Sequence, residues 1–92
     1  MAHTIRDQSK LLNRVRRIRG QVEAIERALE RKEECSGVLR LIAATRGAIN
    51  GLMAEVLEGH VRDHVIDPAW DRESAQLQAT EELLEVVRAY LK

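Results

Sequence analysis

Residues 11–29, LLNRVRRIRGQVEAIERAL, decide the fold of this chain, because their apolar side chains recur at helical spacing. Steps of four and three residues alternate along the series Leu11, Val15, Ile18, Val22, Ile25 and Leu29. This heptad pattern is typical of a helix that packs along a second helix. It predicts a first helix over about residues 5–32, with Gly20 tolerated inside it at a modest cost.

Two further helices are predicted. Residues from about 34 to 66 have a broad apolar face, and this helix should end at Asp67-Pro68, because proline disfavours helical backbone at the preceding residue. A third helix is predicted over about residues 72–91, with Asp71 as its N-cap. The fold class is therefore all-α: a helical hairpin plus a short C-terminal helix in one domain of residues 1–92. Two such hairpins would make a four-helix bundle.

The composition limits how the chain can be stabilised. Its 92 residues include one Trp, one Tyr and no Phe, so few large side chains are available for a private core. Small domains of this kind often depend on partner chains or metals. The single cysteine excludes a disulfide framework and fits a reducing, cytoplasmic setting. No apolar stretch is long enough to span a membrane, so we expect no membrane contact.

Positive charge is concentrated at the beginning of the chain. The net charge is zero, yet residues 1–20 contain six basic residues and one acidic residue. On a helical wheel, Arg6, Lys10, Arg14 and Arg17 share one strip, which Gln21 extends. Such a strip can contact DNA phosphates, without the turn of a recognition helix or the spacing of a zinc finger. A solvated helix face would carry the same pattern, so that alternative stays open.

Histidines and the single cysteine point to a metal site. His60 and His64 are four residues apart and share one helix face. Cys35 lies 25 residues upstream, roughly 37 Å away along one continuous helix, so only an antiparallel second copy could bring its own Cys35 to the pair. After removal of Met1, the Ala2 amine and the His3 ring could chelate Ni(II), Cu(II) or Co(II). Alternatively, these are ordinary exposed histidines and an inert cysteine.

Other classes of function fit less well. The chain has no glycine-rich phosphate loop and no Ser/His/Asp grouping, so we expect that it is not an enzyme. A competing hypothesis is a helical interaction module whose basic end docks an acidic protein. That module would show neither tight metal binding nor a steep salt dependence of DNA affinity.

Three segments resemble the CsoR/RcnR family of bacterial repressors. They are RVRRIRGQVEAIERALE at residues 14–30, IAATRGAINGLMAEVLEGH at residues 42–60 and VRAYLK at residues 87–92, with Cys35 between the first two. The resemblance implies a three-helix protomer, an antiparallel four-helix-bundle dimer and a dimer of dimers that leaves its operator DNA when an inducer binds. It also implies that DNA is contacted by a set of polar side chains: Lys10, Arg14, Arg17, Gln21 and Arg46.

Branches of the family differ in their inducer. The copper branch uses Cys, His and Cys, whereas His64 holds the last position here, and the persulfide branch needs two cysteines. The nickel/cobalt branch uses an N-terminal His, one Cys and two His, as in His3, Cys35, His60 and His64. The resemblance thus implies Ni(II) or Co(II) as the inducer, with Zn(II) as a further ion that the site could take in vitro. The formaldehyde branch is the alternative: it pairs an N-terminal proline amine, here replaced by Ala2, with the cysteine.

Overall fold

The computed structural model describes residues 7–91, which form three α-helices and no strand. Helix α1 spans Gln8–Glu30, α2 spans Cys35–His64 and α3 spans Ala75–Tyr90. The all-α prediction is confirmed. The observed boundaries that can be compared lie one to three residues inside the predicted ones, and the predicted start at residue 5 lies outside the described residues. None of these helices combines the length and the apolar character needed to cross a lipid bilayer.

The turn between α1 and α2 forms without glycine. Lys32 has a left-handed backbone with φ 56°, and the backbone N–H of Glu33 donates to the carbonyl of Ala28 at 3.0 Å. The N–H of Lys32 donates to the carbonyl of Leu29 at 3.1 Å. These two bonds make a Schellman motif, which usually places glycine at the left-handed position. The motif reverses the chain, so that α2 runs back along α1.

The apolar residues of the predicted heptad pattern in α1 fall into two sets that differ in exposure. Leu11, Ile18 and Ile25 are half-buried, whereas Val15, Val22 and Leu29 are exposed. The other α1 positions that are not exposed carry Arg14, Gln21, Ala24 and Ala28. Because Arg14, Gln21 and Ala28 share the covered side with Leu11, Ile18 and Ile25, the line along which α1 meets α2 is rotated from the line of apolar residues that the sequence predicted. The helix therefore keeps an apolar strip of Val15, Val22 and Leu29 that no other part of residues 7–91 covers.

Helix α3 begins later than predicted because Ser74, and not Asp71, is its N-cap. Ser74 has an extended backbone, and its hydroxyl accepts a hydrogen bond from the N–H of Leu77 at 3.2 Å. Asp71 instead contributes its backbone carbonyl to the preceding turn, where it accepts from the N–H of Ser74 at 3.0 Å. Leu84 is buried, with 1% of its surface exposed, and anchors α3 to the hairpin.

Candidate functional site

The two histidines predicted to share a face do so at the end of α2. The ring centroids of His60 and His64 are 5.0 Å apart, with the ring planes tilted by 40°. Both residues are exposed, and they occupy the last two turns of a continuous helix. Two imidazoles at this separation on one helix face can supply nitrogen ligands to one divalent ion.

Cys35 stands at the opposite end of the same helix. It is the first residue of α2, and its thiol is exposed. Because α2 is unbroken from Cys35 to His64, the thiol lies roughly 37 Å from His60 along the helix axis. Among residues 7–91 of one chain, no three His, Cys, Asp or Glu side chains cluster closely enough to hold a metal ion. Ala2 and His3, the other predicted ligands, lie outside the described residues.

The predicted DNA-contacting residues occupy different environments. Lys10 and Arg17 on α1 and Arg46 on α2 are exposed. Arg14 is half-buried, and its Nη1 atom lies 3.4 Å from the point that a Cβ on Gly51 would occupy. Gln21 is also half-buried, and its Oε1 atom is enclosed with no hydrogen-bond donor in the described part of the chain. The strip therefore turns partly toward α2 and partly toward solvent.

Glu55 is a residue of this region that the sequence reasoning missed. Its Oε1 atom lies 2.8 Å from Nζ of Lys10, and its Oε2 atom forms an ion pair with Nε of Arg14. The hydrogen bond to Glu55, and then the charge of this carboxylate, raise the pKa of Lys10. An antiparallel register that pairs residue 10 with residue 55 would have identified Glu55, but the register is not visible in α1 alone.

A second ion-pair network lies beside the first and joins α2 to α3. Glu58 accepts a hydrogen bond from Nε of Arg88 at 2.7 Å, and Arg62 pairs with Glu81 at 2.9 Å. Arg62 also lies 3.4 Å from Glu58. Partial burial opposes ionisation of Glu58, but the hydrogen bonds from Arg88 and Arg62 outweigh it, so the pKa of Glu58 is lowered.

The two networks line one charged cleft. It has a volume of about 410 Å³ and is walled by charged side chains from all three helices and from the turn before α1. They are Asp7, Lys10, Arg14, Glu55, Glu58, Arg62 and Arg88. A separate apolar surface on α2 includes Ile49, Met53 and Leu57 and ends at His60. The histidine pair therefore lies at one end of this apolar surface of α2.

An all-helical chain with a basic first helix and an exposed histidine pair fits the class of helical, ligand-responsive DNA-binding proteins. Residues 7–89 match the family described as metal-sensitive transcriptional repressors, and the chain belongs to that family. This confirms the CsoR/RcnR resemblance and, at the level of the family, implies operator DNA as a partner. The family's members are repressors and not enzymes.

Individual relatives cover nearly the whole chain. It is 61% identical to an uncharacterized protein in the bioA 5′ region of Serratia marcescens, over 100% of both chains. It is 42% identical to the transcriptional repressor RcnR of Salmonella paratyphi B, again over 100% of both. A similar solved structure is a Glu-to-His variant of the formaldehyde-responsive regulator FrmR from Salmonella enterica serovar Typhimurium. The sequence identity is 48% and the TM-score is 0.65, with 92% of this chain and 94% of that chain covered.

Proposed function

We propose that this protein represses a metal-export gene by holding its operator, and that it releases the DNA on binding Ni(II) or Co(II). The observation that carries the proposal is the exposed pair of His60 and His64, with ring centroids 5.0 Å apart at the end of α2. The similarity to RcnR and the presence of Cys35 and His3 in the same sequence support the nickel/cobalt assignment.

In the proposed dimer, each metal site is shared between two chains. Nine large apolar side chains on α1 and α2 are exposed in the single chain: Leu12, Val15, Val22, Leu29, Leu39, Ile42, Ile49, Met53 and Leu57. A second hairpin packed on this face in antiparallel orientation would bury many of them. The two-fold symmetry of that dimer would bring Cys35 of each chain to the His60 and His64 of its partner. Two such dimers would form the tetramer.

The N-terminal segment completes the proposed site. The amine of Ala2 and the ring of His3 would add nitrogen ligands to Cys35, His60 and His64, for a total of five or six ligands including solvent. Ordering this segment beside the basic strip would favour an arrangement that cannot hold DNA. By linkage, DNA must then weaken metal binding by the same free energy with which metal weakens DNA binding.

Operator DNA would be held mainly through its phosphates. Lys10, Arg17 and Arg46 are exposed, and Arg14 is close to the same surface. Gln21 would take part through its amide group. Because these are phosphate-type contacts, the affinity should fall steeply as salt rises. The sequence has no helix-turn-helix recognition motif, so sequence preference would depend on the shape of the DNA.

Formaldehyde is the second candidate inducer. The 48% identity to a formaldehyde-responsive regulator exceeds the 42% identity to RcnR, and the Cys35 thiol is exposed. Formaldehyde could link this thiol to the Ala2 amine through one carbon, with loss of one water molecule. This reaction would need Cys35 and the N-terminal amine but not His64. A His64→Ala variant therefore separates the two candidates, whereas Cys35→Ala would remove both responses.

An anaerobic Co(II) titration of the reduced protein tests the metal proposal. We expect a sulfur-to-cobalt charge-transfer band that saturates at about one ion per chain, with weak visible bands because the site has five or six ligands. Intense visible bands would indicate a tetrahedral, zinc-like site. If no sulfur band appears at stoichiometric metal, the nickel/cobalt proposal is wrong and formaldehyde becomes the leading candidate.

The tail-ordering step has its own test. His3→Ala should weaken the metal-driven release of operator DNA, because the N-terminal segment could no longer fold over the ion. Metal-driven release that is as complete as in the unmodified protein would exclude this step while leaving the shared Cys–His site in place.

A further inference from the structure

Two of the cations proposed to contact DNA are already bound to an anion of the same chain. The carboxylate of Glu55 lies between Lys10 and Arg14 and gives one oxygen to each. We propose that Glu55 is an internal competitor of DNA phosphate, which lowers operator affinity by occupying these two side chains. The inference rests on the proposed DNA-binding role of Lys10 and Arg14.

Lys10 and Arg14 are both held against α2 by Glu55, and neither side chain extends into solvent without a partner. The Glu55 side chain is only 20% exposed, whereas Lys10 is 67% exposed and Arg14 is 41% exposed. The carboxylate therefore sits on the hairpin surface beneath the basic strip. Nη1 of Arg14 lies over the backbone of α2, 3.4 Å from the Cβ position of Gly51. A phosphate on the outer surface must draw Arg14 away from this position or share it with Glu55.

A carboxylate is a close chemical substitute for phosphate here. Both are anions that accept charge-assisted hydrogen bonds from lysine and arginine. Lys10 and Arg14 carry two positive charges, and Glu55 cancels one of them before DNA arrives. The raised pKa of Lys10 agrees with this direct contact. Because affinity for DNA depends on the phosphate charge that the protein neutralises, Glu55 should reduce both the affinity and its salt dependence.

The second ion network gives a contrast. Glu58 is paired with Arg62 and Arg88, and none of these three residues belongs to the proposed DNA strip. That network fastens α3 to α2. Glu55 differs because both of its partners lie on α1, within the strip. The ion pairs of Glu58 only join two helices, whereas those of Glu55 join two helices and also occupy two cations of the proposed DNA strip.

The test compares Glu55→Gln with the native protein in operator-binding titrations at several salt concentrations. Glutamine keeps the shape of the side chain but not its charge. We expect operator binding to tighten by roughly 2- to 30-fold, the range for losing two exposed ion pairs of ordinary strength. The slope of log affinity against log salt should steepen by about 0.9 for each additional phosphate contacted. Unchanged or weaker binding would overturn the inference.

Two further variants test whether the effect comes from net charge alone and whether it depends on the length of the Glu55 side chain. Glu85→Gln removes one negative charge from an exposed position of α3, so it reports the effect of net charge alone. Glu55→Asp keeps the charge but shortens the side chain, and it should give a smaller increase in affinity. If Glu55→Gln does not fold, Glu55→Asp replaces it as the test variant. An increase of equal size in Glu85→Gln would mean that Glu55 has no special role.

A double-mutant comparison distinguishes failure of this inference from failure of the proposed DNA strip. In a chain carrying Lys10→Ala and Arg14→Ala, Glu55→Gln should no longer tighten binding, because nothing remains to be released. If the two alanine substitutions weaken binding but Glu55→Gln never tightens it, only the inference fails. If the alanine substitutions leave binding unchanged, the proposed strip is wrong and the inference fails with it.

Discussion

The two ends of α2 carry different chemistry and are held in different ways. The C-terminal half of α2 carries His60 and His64, and ion pairs of Glu55 and Glu58 join the same half of the helix to both other helices. At its N-terminal end, Cys35 follows a turn closed by backbone hydrogen bonds, and Ala28 and Val38 in the two helices that flank this turn are buried. One end carries two neighbouring imidazole side chains on a helix joined to both others by ion pairs, and the other end carries a single exposed thiol.

This difference shows why one chain cannot be the functional unit of the proposed sensor. A rigid helix of 30 residues keeps its ends apart, so soft and borderline ligands at opposite ends can meet only across two chains. The apolar surface of α2, which lies between Cys35 and the histidines, is a surface on which a second chain could pack. Substitutions in this apolar surface, at the start of α3 and in the Glu58 ion pairs should therefore have different effects.

The largest effect on the proposed metal site is expected from a charge placed in the apolar surface of α2. Met53 is 55% exposed in the single chain and would be buried in the proposed dimer. Met53→Asp should therefore prevent dimerisation and abolish the sulfur-to-cobalt band, while the single chain stays helical. Analytical ultracentrifugation and circular dichroism would measure the two properties. Met53→Leu is the matched control, and a fully dimeric Met53→Asp protein would place the dimer surface elsewhere.

A smaller effect is expected at the start of α3. The hydroxyl of Ser74 accepts a hydrogen bond from the N–H of Leu77, so Ser74→Ala should lower the free energy of unfolding by about 1 kcal/mol. Chemical denaturation would measure this loss. Asp71→Ala is the control and should cost less, because Asp71 uses its backbone and not its side chain in the turn. Equal costs for both variants would contradict the assignment of the cap.

The smallest effect is expected on the pH dependence of stability, through the ion pairs of Glu58. The pKa of Glu58 lies below its usual value of 4.5, so its ion pairs stabilise the fold above pH 4.5 and are lost as the pH falls through the lowered pKa. Because Glu58 and its partners are partly exposed, Glu58→Gln should cost only about 0.5 kcal/mol at pH 7. Denaturation curves should show this difference unchanged between pH 7 and 5 and closing below pH 4.5. A difference that grows in acid would contradict the lowered pKa.

The sequence predicted the helices well because their signals are local. The heptad spacing from Leu11 to Leu29 predicted α1, and Asp67-Pro68 predicted the end of α2 at residue 66, two residues beyond its observed end at His64. The i,i+4 spacing of His60 and His64 was enough to place both rings on one face. These features depend on neighbouring residues along one helix.

Features that depend on how two helices meet were not predicted. Arg14 and Gln21 lie on the covered side of α1, while Val15 and Val22 are exposed, because the line of contact with α2 is rotated from the apolar seam. The pairing of Glu55 with Lys10 and Arg14 depends on the register of the hairpin. Asp71 and Ser74 are both good N-cap residues, and the choice between them depends on the turn that precedes α3.

The most direct test of the shared metal site is complementation between two inactive chains. One chain would carry Cys35→Ala, and the other would carry His60→Ala with His64→Ala. Neither alone should give a sulfur-to-cobalt band with imidazole ligation, but refolding an equal mixture should restore about one quarter of the native band. About half of the dimers would be mixed, and each would hold one intact site out of two. A mixture with no more band than its components would contradict a site built from two chains.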